Sequence, residues 1–304
     1  IEKISEGVKK MLEYRPDVIV AVGGGSAIDS SKSIREFALR VDRYGEVGLI
    51  AIPTTSGTGS EVTSFAVVSD PKEQRKYPLV SRDMTPDEAI LDAELVKSVP
   101  PAVTADTGMD VFTHALEACV STNRNDFSTA LAEKSIEICG VFLLRAYLDG
   151  SDTHASQKMH SASCLAGLAF NSASLGLNHG MAHQLGAAFH IPHGRANAML
   201  LPHIIEFNSD INKHSKSQTD YLPAVKRYST VAQILGLSSY NKIMTVRSLV
   251  NWVQFMMKEM DIPLSISQME KISKEEYFAA IDRMADAALA DGCTATNPRV
   301  PSKA

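Results

Sequence analysis

Four of the nine histidines of this 304-residue chain fall in one stretch, "NHGMAHQLGAAFHIPHG", residues 178–194. His179 and His183 are four apart, so on a helix they share one face. His193 follows Pro192, a residue suited to a helix's first turn, and so stands at the entrance to "HGRANAMLLPHII". Upstream, "GMDVFTHALEA" sets Asp110 and His114 four apart. Two such pairs on facing helices can converge on one cation inside a bundle. Neutral imidazoles with one carboxylate suit Fe²⁺ or Zn²⁺. "HGMAH" lacks the glutamate of HExxH, which argues against a metalloprotease. His190, just before "IPHG", is read as a non-ligand. His154, His160, His203 and His214 have no paired partner in sequence and are read as structural or exposed.

Two Gly/Ser/Thr loops supply a second kind of chemistry. "VGGGSAID" lets a backbone approach a ligand closely, and the helix that follows aims free N–H groups and a positive dipole at it, a place for pyrophosphate. It is neither a Walker A loop nor GxGxxG. "IPTTSGTGSEVT" is a second such loop, again after a strand, whose Thr54 and Thr55 hydroxyls can bond phosphate or carboxamide without adding charge. Together the loops point to a dinucleotide site; the plain alternative is a pair of turns rich in small residues.

The elements that must position these groups divide the chain. "PDVIVAVGGGS", "EVGLIAIPTTSGTGS", "SFAVVSD" and "EAILDAE" read as strands, and "SAIDSSKSIREFALR" as a helix that Ser26 or Asp29 could cap. Strands ending in such loops predict a mostly parallel sheet with ligands at its carboxyl ends. From Pro100 helical periodicity dominates, in "ADTGMDVFTHALEACV", "FSTALAEKSIEICGVFLLRAYL", "ASQKMHSASCLAGLAFNSASL" and "VRSLVNWVQFMMKEM". The expectation is an α/β Rossmann-like nucleotide-binding domain over 1–97 and an all-α metal-binding domain over 98–304. The opening "IEKISEGVKKMLEYRPD" reads as a helix running into a strand with no earlier strand to pack on. A nucleotide-binding unit normally has a βαβ pair before that point, so the amino-terminal part of the domain is expected to be missing.

Composition sets bounds. Net charge is −5, with 44% hydrophobic and 21% charged residues, as in soluble globular proteins, and nothing favours nucleic acid or a membrane surface as partner. No apolar run is long enough to span a bilayer, and no signal-peptide pattern opens the chain. Cys119, Cys139, Cys164 and Cys293 form no CxxC pair and read as reduced, buried thiols of an intracellular protein.

The motifs "GGGSAIDSSK", "AIPTTSGTGSEVT", "TGMDVFTHALEA", "NHGMAHQLGAAFHIPHGRANAMLLPH" and "TNPR" resemble, in order and spacing, the iron-containing (group III) alcohol dehydrogenases. The resemblance covers nearly the whole chain and is weakest from about residue 205 to 285. It is nearest to the short single-function members of propanediol and ethanolamine breakdown; fused aldehyde–alcohol dehydrogenases share the motifs. It implies a divalent metal, Fe²⁺ with Zn²⁺ as alternative, held by Asp110, His114, His179 and His193, with His183 off the metal near nicotinamide and substrate. It implies Gly24, Gly25 and Ser26 at the pyrophosphate with Asp29 nearby, Thr54, Thr55, Val67 and Lys76 along the cofactor, and Phe65 bordering the substrate pocket. It further implies a homodimer or higher homo-oligomer, cytoplasmic or inside a bacterial microcompartment. Against the family pattern the first βαβ unit and the last helix are absent. That first unit carries the acidic residue that reads the adenosine ribose, so NAD and NADP both stay open.

The reaction expected is reversible hydride transfer between a small primary alcohol or aldehyde and the nicotinamide, with the cation as Lewis acid. Four protein ligands leave the substrate a fifth position, which favours iron before zinc. His183 is the candidate proton relay. Two other readings use the same residues: a metallohydrolase, and a truncated chain without catalysis.

Overall fold

The computed structural model describes residues 1–70, 75–211, 222–269 and 272–303. His214 lies outside the described residues. The first third holds α1 (Glu2–Tyr14), β1 (Val18–Gly23), α2 (Gly25–Val41), β2 (Gly48–Pro53), β3 (Phe65–Asp70), β4 (Arg75–Val80) and β5 (Glu88–Ala89). β1, β2 and β5 form a parallel sheet in that order, with Gly23 beside Pro53 at the carboxyl ends of β1 and β2. This parallel sheet was expected, but two details differ. β3 leaves it to pair antiparallel with β4, and β5 is a two-residue strand.

α2 also starts differently from the expectation. Its N-cap is Gly24, with no side-chain cap, and Ser26 and Asp29 lie inside the helix. Asp29 is engaged elsewhere, accepting from Ser60 Oγ at 2.6 Å and from the Val67 amide at 2.9 Å. α1, with no earlier strand to pack on, packs on α2. Gly7 faces the Ile34 side chain, and Met11, Ala38 and Val47 form a small core.

A buried ionic group stitches this part together. Lys32, wholly buried, donates to the carbonyls of Thr63 (2.7 Å) and Phe65 (2.8 Å) beside the half-buried Asp29 and the buried Glu61. Arg35 donates to the carbonyls of Asp83 (2.5 Å) and Thr85 (2.8 Å) and to Asp87 (2.8 Å), tying α2 to the loop before β5.

The rest is helical: α3 (Pro101–Val120), α4 (Asp126–Leu148), α5 (Thr153–Ala173), α6 (Leu177–Phe189), α7 (His193–Ser209), α8 (Pro223–Ile234), α9 (Lys242–Glu259) and α10 (Lys274–Ala290). α3 has Pro101 in its first turn and is buried on nearly every side, packed on α4, α5, α7 and α8. α4 opens with a reciprocal cap between Asn125 and Ser128, and α10 with one between Ser273 and Glu276. A single large core, from Ala105 to Ile262, belongs to these helices. No described helix is long and apolar enough to cross a membrane. All four cysteines are free; Cys119 and Cys139 are buried, and Cys164 and Cys293 are partly exposed.

Burial pushes the Lys32 amine down to about 8, below its ordinary 10.5, against the pull of Asp29 and Glu61. Lys32→Met removes the donor from the carbonyls of Thr63 and Phe65 and the counter-charge beside Asp29 and Glu61, and should destabilise the fold by about 3 kcal/mol. Between pH 8 and 10.5 the folded amine has lost its proton while the unfolded amine keeps it. The unfolded state then binds more protons, so the margin of wild type over Lys32→Met should widen as pH rises through that window. Urea unfolding of both proteins at pH 7 and pH 10 checks this; an unchanged or narrower margin contradicts it.

Candidate metal centre and cofactor cleft

Asp110 and His114 lie one turn apart on α3, His179 lies in the first turn of α6, and His193 is the first residue of α7. The structure brings all four together: one ligand atom from each falls within 4.8 Å of the other three. Asp110 Oδ1 stands 3.7 Å from Nε2 of His179, 3.7 Å from Nε2 of His193 and 4.0 Å from Nε2 of His114. Asp110, His114 and His179 are buried, and His193 is more open.

Sequence spacing alone could not bring the third helix in. The turn between α6 and α7 does so: His190 adopts the left-handed conformation, φ 54°, at the end of α6, and Pro192 is the N-cap of α7. Gly194 then allows α7 to touch α3. A Cβ there would sit 1.9 Å from the Asp106 carbonyl oxygen, which neither backbone can yield cheaply. Arg195 pairs with Asp106 at 3.0 Å beside it.

Burial lowers the pKa of His114 and brings that of His179 well below the usual histidine value, so both stay neutral donors. Three residues missed in the sequence orient the four. Glu117, one turn beyond His114, bonds His179 Nδ1, leaving Nε2 for the cluster. It also accepts from the Asn178 amide at 2.8 Å, closing the start of α6 with a carboxylate where the helix dipole favours one. Burial pushes Glu117 up to about 8, and its contact with His179 Nδ1 carries a proton. A cation on Nε2 favours that proton on Nδ1 and the glutamate as anion, the usual outer-shell arrangement for a ligating histidine.

Asn197, fully buried, places its amide nitrogen 2.7 Å from Asp110 Oδ1, 3.0 Å from His179 Nε2 and 3.2 Å from His193 Nε2. Its own carbonyl accepts from Asn178 Nδ2 at 2.8 Å. Asn297 of "TNPR" accepts from the Leu177 amide (3.2 Å) and bonds Asn208, joining the start of α6 to the end of α7. Spacing held one readable signal: Glu117 is seven residues after Asp110, and Asn197 four after His193, both on the ligand-bearing faces. A donor set of one carboxylate and three imidazoles, with Glu117 holding His179 from its far side, fits a divalent iron or zinc ion.

His183 stands beside this cluster, not in it. Its ring stacks on His193, 5.4 Å between centroids, and it belongs to a second group with Asp291 and Cys293. His190 is the turn residue just described. His154 meets the Phe142 ring edge-on, His203 is exposed, and His160 is buried and bonded to Ser56 Oγ at 2.9 Å.

The glycine loops lie side by side because β1 and β2 are neighbours. Gly23, at φ 151°, ends β1 where a Cβ would come 2.7 Å from Ala27 Cβ. Gly24 faces Thr55, and Gly25 faces Thr58. The uncapped start of α2, with no acidic residue in its first turn, leaves backbone N–H groups of Gly25 and Ser26 for an anion. The Thr54 amide donates to the Gly23 carbonyl at 3.0 Å. Asp29 is engaged with Ser60 and Val67, as above. Val67 is partly exposed on β3, and Lys76 pairs with Ser69 across the hairpin, its side chain outside the described residues.

This cleft touches the metal centre. Gly57 presses on Thr107 of α3, one turn before Asp110, and Gly59, left-handed at φ 62°, lies against the backbone of Gly167 on α5. Phe65 packs on Phe170 (6.3 Å between centroids), which packs on His114 (4.6 Å).

Two variants test this geometry. Glu117→Gln should weaken affinity for a divalent metal about 10- to 100-fold, measured by competition with a chelator, and unchanged affinity contradicts the outer-shell role. Gly194→Ala forces α7 off α3 and should cost about 1–3 kcal/mol of stability and lower metal affinity as well. Full retention of both would show that the two backbones are not in contact there.

Residues 104–304 match the model of the Fe-containing alcohol dehydrogenase C-terminal region, and residues 1–93 match the iron-containing alcohol dehydrogenase model. A 1-propanol dehydrogenase of Citrobacter freundii is 45% identical over 306 residues, 99% of this chain and 78% of that protein. An NADPH-dependent butanol dehydrogenase of Clostridium saccharobutylicum is 38% identical, covering 100% of this chain and 78% of the relative. A solved 1,3-propanediol oxidoreductase superposes with a TM-score of 0.85 at 31% identity, over 97% of this chain and 76% of that one. With its helical ligand cluster and its α/β glycine loops both accounted for, the chain belongs to the iron-containing alcohol dehydrogenase family.

Proposed function

We propose that Asp110, His114, His179 and His193 hold one divalent cation, iron in preference to zinc, and that NAD(P) lies along the glycine loops. The reaction is reversible hydride transfer between a small primary alcohol, ethanol- or 1-propanol-sized, and its aldehyde. The observation that carries this reading is the convergence of those four ligand atoms within 4.8 Å. Residues 1–97 serve as the dinucleotide-binding part and 98–304 as the metal-binding part. The dehydrogenase relatives favour this activity over a metallohydrolase or a chain without catalysis.

When bound, the cation supplies Lewis acidity toward the substrate oxygen, and the nicotinamide supplies the hydride acceptor. The chain's own residues do the rest. The start of α2, with Gly24, Gly25 and Ser26, binds the pyrophosphate, while Thr54, Thr55, Val67 and Lys76 line the remainder of the cofactor. Phe65, backed by Phe170, borders the substrate and keeps water from the reacting carbon. His183 is half-exposed and takes the hydroxyl proton toward solvent. Resemblance to single-function members of propanediol and ethanolamine breakdown extends the proposal to a homodimer or higher homo-oligomer, in the cytoplasm or a microcompartment.

The test is metal analysis combined with turnover of ethanol, 1-propanol and 1,2-propanediol with NAD and with NADP. Wild type should bind one divalent ion per chain and form reduced nicotinamide. His179→Ala should lose metal and activity together; if it loses neither, the ligand assignment fails.

A further inference from the structure

His183 Nδ1 lies 2.8 Å from Asp291 Oδ2, a contact between residues 108 apart in the chain. Asp291 ends α10 and caps the short turn Gly292–Thr296, its Oδ1 accepting from the Cys293 amide at 2.9 Å. Both carboxylate oxygens are therefore engaged. The Cys293 sulfur lies within 4.8 Å of the His183 and Asp291 ligand atoms, its thiol kept protonated by burial.

The turn is seated on α6 by a glycine. A Cβ on Gly180 would fall 2.1 Å from Thr294 Oγ1, 3.2 Å from the Ala288 carbonyl oxygen and 3.5 Å from Asp291 Cβ. Thr294 Oγ1 in turn donates to that carbonyl at 2.6 Å. The helix and the turn are thus in contact one residue after His179 and three before His183. Burial opposes ionisation of Asp291, but the bonds from His183 and Cys293 outweigh it and hold its pKa below the usual aspartate value. An ionised carboxylate only accepts, so Nδ1 of His183 carries the proton and Nε2 keeps its lone pair.

We propose that Asp291 is the positioning residue for His183: it fixes the ring and its Nδ1–H tautomer, so that Nε2 is the atom that receives the substrate hydroxyl proton. This rests on His183 being the proton relay. In alcohol oxidation the substrate O–H bond breaks and an N–H bond forms at Nε2. The electron pair of the carbinol C–H bond leaves with its hydrogen as hydride to the nicotinamide. The imidazolium is balanced by Asp291, and the proton then passes from Nε2 to water. The His183 side chain is 36% exposed and that of Asp291 16%, so the ring meets solvent while its anchor stays sheltered.

The experiment uses zinc-loaded protein labelled with ¹⁵N-histidine, whose long-range proton–nitrogen spectra report each ring's tautomer, together with steady-state kinetics. Wild-type His183 should be the Nδ1–H form. Asp291→Asn keeps size and the bond from Cys293 but offers His183 an NH₂, so the ring should switch to Nε2–H. Metal content should stay at one per chain, and kcat should fall about 10- to 100-fold while KM moves less than about threefold. A wild-type Nε2–H tautomer overturns the proposal even if the variant does not fold. So does a variant whose tautomer is unchanged, one that switches without loss of kcat, or one that loses its metal. Full activity in His183→Ala would instead remove the relay reading, while the spectra still report whether Asp291 holds the ring.

Discussion

Four electron-pair donors meet inside this protein where α3, α6 and α7 converge, and three of the four side chains are buried. Burying one carboxylate and three imidazole lone pairs is unfavourable unless hydrogen bonds or a cation compensate them. Much of the helical part follows from that constraint. α3 carries Asp110, His114 and the orienting Glu117 on successive turns. α6 begins where Glu117 accepts its backbone, and α7 begins at a ligand. The glycines at 176, 180 and 194 stand where side chains would push these backbones apart, against Glu117, Thr294 and Asp106 respectively.

A second constraint ties the two halves of the chain together. The loop after β2 must reach the cofactor side at Thr54 and Thr55 and still lie flush on the helices at Gly57 and Gly59. Its path is set from beneath by Lys32, which bonds the backbone at Thr63 and Phe65, and by Asp29, which bonds Ser60 and Val67. The polar residues of α2 thus face two ways: the helix start presents backbone to a ligand, while its buried side chains hold the neighbouring loop. Asp29, a cap candidate in the sequence, lies inside α2 and anchors that loop instead of capping the helix.

What the sequence revealed, it revealed through local periodicity. The i,i+4 spacing of Asp110 with His114 and of His179 with His183 placed each pair on one helix face. The glycine runs after β-branched stretches placed the loops at strand ends. Periodicity could not say that His179 goes to the cluster while His183 turns to Asp291, because that choice is made by a residue 108 positions away. Nor could it separate Glu117 and Asn197 from ordinary polar helix residues, since their roles depend on which neighbours share the burial. The antiparallel β3–β4 pair was hidden for the same reason: strand propensity is local, and pairing is not.

Anomalous diffraction at the iron edge, from crystals of the iron-loaded protein, tests the account most directly. One iron per chain is expected, bound by an Asp110 oxygen and the Nε2 atoms of His114, His179 and His193. Iron elsewhere, or iron bound by fewer than three of these imidazoles, would contradict it.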